Sequence, residues 1–150
     1  MRIVVAITGA TGAAYGVRLL SALGELDVER HLVLSRWAEV TLLKETGLSV
    51  REVGAMASVV HSRENQGAAI ASGSFRHDGM IVAPCSMKTL AAIRFGHADG
   101  LIARAADVTL KESAPRVAGA RDAAERHPSG EHASPEPNGR HHRAARAGLL

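Results

Sequence analysis

The chain has 150 residues, enough for one domain with a sizeable core, and no apolar run approaches the roughly 20 residues of a membrane span. Its net charge of +3 at pH 7 is small and scattered, which argues against a nucleic-acid-binding protein. The single cysteine, Cys85, excludes an internal disulfide and is typical of a cytoplasmic protein. We expect no signal peptide, because the chain opens directly on a predicted strand.

The first predicted element is a buried strand at residues 3–7, an apolar run rich in β-branched side chains. Three glycines mark the change to the helix that follows: Gly9, Gly12 and Gly16. We expect Thr8 and Thr11 to cap this helix. Such a turn aims backbone N–H groups at one spot, which phosphate usually occupies. The spacing is not the G-x-G-x-x-G fingerprint and no Walker lysine follows, so the turn alone predicts either an anion site or tight packing.

The rest of the chain alternates between predicted helices and strands, recognised by 3.6-residue periodicity and by short apolar runs. In chain order we predict a helix ended by Gly24 and Asp27, a strand at 31–34, a helix ending near Gly47, a short helix capped by Ser49, a small strand at 59–60, a loop with one helical turn at 65–75, a strand at 80–83, a helix after Pro84-Cys85-Ser86 and an amphipathic helix at 101–111.

This alternation predicts a parallel sheet with right-handed crossovers and helices on its faces, that is, a three-layer α/β fold. Ligands of such folds bind beyond the carboxyl ends of the strands. Three polar turns are predicted to fall there, at residues 9–12, at Ser35 and at residues 86–89. Their coincidence favours a ligand site over a glycine turn that merely packs tightly.

Motifs spread over about three quarters of the chain resemble, in the same order, those of the UbiX-like flavin prenyltransferases. They are Thr8-Gly9-Ala10-Thr11-Gly12-Ala13, Tyr15-Gly16-Val17-Arg18-Leu19-Leu20, Ser35, Glu45-Thr46, Ser72-Gly73-Ser74, Pro84-Cys85-Ser86-Met87-Lys88-Thr89-Leu90, Arg104-Ala105-Ala106-Asp107-Val108 and Leu110-Lys111-Glu112. The resemblance implies a flavodoxin/Rossmann-like fold that binds FMN. It also implies transfer of a dimethylallyl group from dimethylallyl phosphate to N5 and C6 of reduced FMN.

The same resemblance implies partners. The prenylated FMN would serve a UbiD-type decarboxylase, as in ubiquinone biosynthesis, and the chain would assemble into a large homo-oligomer, a dodecamer in this family, with active sites at subunit contacts. No metal is expected, because lysine, arginine and N–H donors suffice to hold a monophosphate.

Individual site residues follow from the matched motifs. By resemblance, FMN would be held by Gly9, Ala10, Thr11, Ser35, Ser86, Met87, Lys88, Thr89 and Arg121, and the catalytic group would comprise Glu45, Thr11 and Lys111. Gly73 would lie in a loop that contacts substrate, and Lys111 near the substrate phosphate. A carboxylate such as Glu45 suits this chemistry, since loss of phosphate from an allylic carbon develops positive charge.

Three alternatives stay open at this point. A related flavoprotein cysteine decarboxylase is one, although its usual Pro-x-Ser-Ala-Asn-Thr stretch is replaced here by residues 84–89. An FMN-binding module without turnover is another. The third concerns Cys85, which could be a nucleophile; since no clear base lies nearby in the sequence, we favour a small buried residue.

The composition changes at residue 113. Residues 113–150 contain no Ile, Met, Phe, Tyr or Trp and hold four of the five prolines. Such a segment cannot bury enough apolar surface to offset the entropy of ordering, so we predict a domain at 1–112 and a disordered tail at 113–150 with solvated histidines.

The tail also permits a frameshift hypothesis. One allowed set of codons for residues 120–133, read one nucleotide later, encodes RETPLSATRLENM, which this family should show at that point; the same shift toward Leu150 permits LARNPMGATIAPPAPAFY. We interpret residues 113–150 as the product of a frameshift near codon 113. The frameshift would remove a tyrosine and an arginine that, in this family, follow later in the chain and bind the prenyl phosphate. Arg121, in contrast, matches an FMN-contacting arginine of the family in either reading frame.

Overall fold

The four apolar runs predicted as strands, together with a fifth strand that was not predicted, form a sheet in which every neighbouring pair is parallel. The computed structural model describes residues 1–112 and 117–119. Along the chain the elements are β1 (Arg2–Ile7), α1 (Ala13–Glu25), β2 (Glu29–Leu34), α2 (Arg36–Thr46), α3 (Val50–Ala55), β3 (Val59–His61), a 3₁₀ turn (Ala69–Ala71), β4 (Gly79–Val82), α4 (Met87–Phe95), α5 (Leu101–Lys111) and β5 (Val117–Gly119).

The strand order is β3-β2-β1-β4-β5, the order of the first five strands in a Rossmann-type doubly wound sheet. The chain winds outward from β1 to β2 and β3, then returns to the other side of β1 to form β4. The order therefore reverses between β1 and β4, and ligands of such sheets bind at this reversal. The predicted three-layer α/β fold with a parallel sheet is confirmed.

Two hydrophobic clusters cover the two faces of the sheet, because successive strand side chains point to opposite sides. Val4 and Ala6 of β1 pack on the face covered by α5 and the 3₁₀ turn. Ile3, Val5 and Ile7 pack on the other face, with buried residues of α1, α2 and α3. The first strand is thus apolar throughout because both of its faces are buried.

Serine side chains begin three of the helices. Ser35, Ser49 and Ser86 are the N-caps of α2, α3 and α4, and each accepts a hydrogen bond from the amide three residues later. Helix α1 differs: its N-cap is Gly12, at φ 100°, with no side-chain cap. The prediction that Thr8 and Thr11 cap α1 is therefore wrong, since the chain enters this helix in a conformation that favours glycine. None of the helices in the described ranges is long and apolar enough to cross a membrane.

Most strand boundaries lie within one residue of the prediction, and two larger differences occur. Strand β2 begins at Glu29 rather than at residue 31, because Glu29 and Arg30 pair with Arg2 and Ile3 of β1 although their side chains are polar. Strand β5 lies inside the predicted tail and pairs with β4. The rest of the predicted tail, with Arg121, lies outside the described residues, so the predicted disorder and the frameshift stay hypotheses.

A polar cluster extends from the amino ends of β1 and β2 to His61, the last residue of β3. The Nδ1 atom of buried His31 lies 2.9 Å from Nε2 of His61. The Nε2 atom of His31 lies 2.9 Å from Oε1 of Glu29, and Oε2 of Glu29 lies 2.9 Å from Nε of Arg2. Partial burial and the neighbouring His31 lower the pKa of His61. Hydrogen bonds to His31 and Arg2 lower the pKa of Glu29. The cluster connects β1, β2 and β3 through side chains, from the first residues of β1 and β2 to the last residue of β3.

Candidate functional site

The three predicted polar turns meet at the carboxyl ends of β1, β2 and β4, where hydrogen bonds join them. The amide of Ser35 donates to the carbonyl of Ile7 at 3.0 Å. The amide of Thr8 donates to the carbonyl of Pro84 at 3.2 Å, and the amide of Ser86 donates to Oγ1 of Thr8 at 2.7 Å. Since β1 and β4 flank the reversal of strand order, these turns line the crevice where a ligand of this fold is expected.

Close packing explains two of the three glycines in the first turn. A Cβ on Gly9 would collide with the Cβ of Trp37 in α2, so a side chain there would push the turn away from α2. A Cβ on Gly16 would lie 2.5 Å from the carbonyl oxygen of Ala83 and 2.8 Å from Ile7. The packing interpretation of the glycine turn is thus correct for these positions, and it brings α1 and α2 up to the ends of the strands.

The start of α1 already holds an anion, the carboxylate of Glu45. Its Oε2 accepts hydrogen bonds from the amides of Gly12 at 3.0 Å and Ala13 at 2.7 Å. These are amides that we expected to bind phosphate, and a helix N-terminus favours a negative charge of either kind. Glu45 and Thr11 therefore lie at the same turn, and a phosphate bound there would compete with Glu45 for the two amides.

The start of α4, unlike that of α1, has backbone amides that are available to a ligand. The start of a helix leaves its first N–H groups without an intrahelical acceptor. The amide of Thr89 donates to Oγ of Ser86 at 3.3 Å, and that of Leu90 to the carbonyl of Ser86 at 2.9 Å. The amides of Met87 and Lys88 have no acceptor among the described residues. Because the Lys88 side chain is exposed beside them, this helix start can hold a phosphate.

Helix α2 repeats this arrangement on the other side of β1. The Oγ of Ser35 accepts from the amide of Ala38 at 3.2 Å. The amides of the first two residues of α2, Arg36 and Trp37, have no acceptor within residues 1–112 or 117–119. Two helix starts, those of α2 and α4, therefore face the crevice with donors that find no acceptor in the described part of the chain, which suits a ligand that carries a phosphate and further polar groups.

We expect Glu45→Ala to lower the free energy of unfolding by about 1 kcal/mol, or the melting temperature by about 4 °C, because the Gly12 and Ala13 amides lose their acceptor. Glu45→Gln keeps an acceptor oxygen and should lose less. Thermal unfolding monitored by circular dichroism measures both. Glu25→Ala is the control, since Glu25 is also exposed but ends α1 and, among the described residues, pairs with groups of that helix alone. Equal stability of Glu45→Ala and the unchanged chain would contradict this assignment.

The predicted substrate residues Gly73 and Lys111 lie elsewhere. A Cβ on Gly73 would approach Oε1 of Glu112 to 2.6 Å, and Lys111 is the last residue of α5. Just before the end of α5, Oγ1 of Thr109 lies 2.9 Å from Nε2 of His77, a residue that precedes β4 in the chain. Gly73 and Lys111 thus lie at the amino edge of the sheet, separated from the three turns by the six residues of β1, about 20 Å. A single chain does not bring them to the crevice.

Three further predictions concern Cys85, Arg121 and the absence of a metal site. Cys85 is 3% exposed, which confirms a small buried residue in the core. Arg121 lies outside the described residues. In residues 1–112 and 117–119, no group of three His, Cys, Asp or Glu side chains is placed to hold a metal ion.

Sequence reasoning missed the role of Thr8, which we had expected to cap α1. Its hydroxyl instead joins two turns that are 78 residues apart in the chain. The available signal was its position directly after the buried run of β1, where a polar side chain needs a partner. That partner could not be named from the sequence, because the sequence does not state which strand neighbours β1.

A family model described as Flavoprotein matches residues 1–121. A probable UbiX-like flavin prenyltransferase from Streptomyces sp. (strain D7) is 67% identical over 113 residues, which are 75% of this chain and 56% of that protein. A crystal structure of AnUbiX (PadA1) in complex with FMN and dimethylallyl pyrophosphate is 55% identical, with a TM-score of 0.78 over 80% of this chain and 63% of that one.

A dodecameric FMN-dependent UbiX-like decarboxylase from Escherichia coli O157:H7 is 53% identical, with a TM-score of 0.81 over 85% of this chain and 69% of that chain. The FMN-dependent cysteine decarboxylase SpaF is 21% identical with a TM-score of 0.62, a likeness that shows the fold alone. The chain spans a little over half the length of the curated Streptomyces relative. From the family model and these identities, the chain belongs to the Flavoprotein family and, within it, to the UbiX-like group.

Proposed function

We propose that this chain binds FMN at the crevice and is a flavin prenyltransferase, which transfers a dimethylallyl group from dimethylallyl phosphate to reduced FMN. The observation that carries the proposal is the placement of Glu45 and Thr11 at one turn, beside two helix starts with unpaired amides. That set of donors fits a flavin phosphate. The AnUbiX structure, with FMN and a dimethylallyl ligand, supports the same assignment at 55% identity.

In this proposal, different residues bind the flavin phosphate and stabilise the reacting carbon. The amides of Met87 and Lys88 and the Lys88 ammonium hold the flavin phosphate at α4, with Ser35, Thr89 and the turn at Gly9, Ala10 and Thr11 as further contacts. Reduced FMN supplies the nucleophilic N5 and C6 positions. Glu45, held in place by two amides, stabilises the positive charge that develops on the allylic carbon as phosphate leaves.

This electrostatic role requires that water be excluded, since a carboxylate acts weakly across a high dielectric. Glu45 is exposed in the single chain. We therefore propose that a homo-oligomer covers the crevice, and that Gly73 and Lys111 reach substrate only from a neighbouring copy, given the 20 Å or so between the two edges. The dodecameric relative from Escherichia coli O157:H7 supports such an assembly.

The proposed setting is the cytoplasm, with a UbiD-type decarboxylase as the user of prenylated FMN. A cysteine decarboxylase is not favoured, because SpaF shares only the fold. The second candidate is an FMN-binding module without turnover. What favours it is the extent of the match: 113 of the 150 residues align with the Streptomyces relative, in keeping with a domain at 1–112 and a frameshifted segment at 113–150.

The test is to titrate the full chain with FMN and then supply reduced FMN and dimethylallyl phosphate under anaerobic conditions. We expect saturable quenching of flavin fluorescence. Prenylated FMN, detected by mass spectrometry, would support the transferase. Binding without product would support the module. If FMN does not bind, both candidates are wrong.

A further inference from the structure

We propose that Thr8 is a positioning residue for phosphate binding: its buried hydroxyl holds the start of α4 in the orientation in which the Met87 and Lys88 amides face the ligand. The proposal rests on the FMN site proposed above and extends it to a buried residue. Thr8 is 1% exposed, so its effect on a ligand can only pass through its neighbours.

The Thr8 hydroxyl uses both of its hydrogen-bonding capacities. It donates its one proton to the carbonyl of Pro84 at 2.8 Å, and its oxygen accepts the amide hydrogen of Ser86 at 2.7 Å. The Thr8 amide donates to the same Pro84 carbonyl at 3.2 Å. Three hydrogen bonds therefore join the end of β1 to the turn before α4, at the point where strand order reverses.

The Ser86 amide is the central group, because it links Thr8 to the residue that is the N-cap of α4. Ser86 in turn caps the helix through Thr89, whose amide lies 3.3 Å and whose hydroxyl lies 3.0 Å from Oγ of Ser86. Without the Thr8 oxygen, the partly buried Ser86 amide would lose its acceptor, and the turn would reorient to satisfy it. Such a movement would turn the Met87 and Lys88 amides away from a bound phosphate.

Thr109 provides a matched control. It is also a buried threonine, 0% exposed, whose hydroxyl donates to the Ala105 carbonyl at 2.6 Å and lies 2.9 Å from Nε2 of His77. It lies near the end of α5, at the opposite edge of the sheet from the crevice. Replacing either threonine with valine removes two buried hydrogen bonds and keeps the side-chain shape, so the two variants differ chiefly in location.

The experiment compares FMN with riboflavin, which lacks the phosphate, by fluorescence titration of the full chain. We expect Thr8→Val to weaken FMN binding by about tenfold or more while riboflavin binding changes by less than about twofold. Thr8→Ser keeps the hydroxyl and should restore the preference for FMN. Thr109→Val should lower the melting temperature to a similar degree and leave the preference unchanged. If Thr8→Val does not fold, Thr8→Ala takes its place in the same comparison.

The outcomes separate the two proposals. If the unchanged chain binds FMN and the Thr8 variant keeps the same ratio of FMN to riboflavin affinity, the role of Thr8 is overturned and the FMN site stands. If Thr8→Val weakens both ligands equally, Thr8 supports the fold and not the phosphate, and the proposal is again wrong. If the unchanged chain does not bind FMN, the proposed function fails, and the role of Thr8 fails with it.

Discussion

Replacing Ser86 and Lys88 together with alanine is expected to weaken FMN binding by about a hundredfold. The lysine supplies a charge-assisted contact to phosphate and the serine orients the first turn of α4, and together such contacts are worth about 3 kcal/mol. Riboflavin binding should change far less, because the loss concerns the phosphate. Fluorescence titration with each ligand measures both affinities.

Helix α3 offers a matched control for this double variant. Ser49 caps α3 as Ser86 caps α4, and Arg51 stands two residues after its cap as Lys88 does. Ser49→Ala with Arg51→Ala therefore removes a cap and a positive charge of the same kind, away from the proposed site. We expect it to lower stability and leave FMN affinity within about twofold. An unchanged affinity in the Ser86 and Lys88 variant would show that α4 does not bind the phosphate.

Restoring the reading frame after codon 112 is expected to turn a protein with little or no prenyl transfer into an active one. By family resemblance, the restored segment carries the tyrosine and arginine that grip the prenyl phosphate. Contacts to a leaving group are worth about 2–4 kcal/mol each in the transition state, so two of them account for a rate difference of about a thousandfold or more. Both proteins receive reduced FMN and dimethylallyl phosphate, and the prenylated product is followed by mass spectrometry.

The control is the repaired protein with Glu45→Gln. It should still bind FMN, since an acceptor remains for the Gly12 and Ala13 amides, but it loses the negative charge next to the allylic carbon and should turn over at least about tenfold more slowly. Equal and substantial turnover by the unrepaired and repaired proteins would refute the frameshift hypothesis as an account of function. No turnover by either would count against the prenyltransferase assignment itself.

Local patterns in the sequence were enough to predict most of the elements and the edge of the sheet at which the polar turns meet. The amphipathic helix at 101–111 has the predicted bounds, and Ser49 caps α3 as expected. The turns at Gly9, Ser35 and Ser86 do lie together at the carboxyl ends of the strands. These predictions succeed because burial on one or both faces imposes a period of 3.6 or 2 on neighbouring residues, which any window of the sequence displays.

Reliance on local patterns also explains the predictions that were wrong. The polar start of β2 was missed, because Glu29 and Arg30 enter the strand through backbone pairing with β1 and not through apolar character. Thr8 was expected to cap α1, whereas its hydroxyl bonds the carbonyl of Pro84 and the amide of Ser86. In both cases a contact distant in sequence outweighed a local preference.

By itself, then, the sequence determined the α/β class, the polar turns and, through its motifs, the UbiX-like family. Only the tertiary structure decided which groups meet. It places Glu45 on the amides of Gly12 and Ala13, ties Thr8 to Ser86, and sets Gly73 and Lys111 at the opposite edge of the sheet. The physical reason is that these meetings depend on strand order and on helix direction across the sheet, which arise from the packing of the whole chain and leave no periodic trace in any one segment.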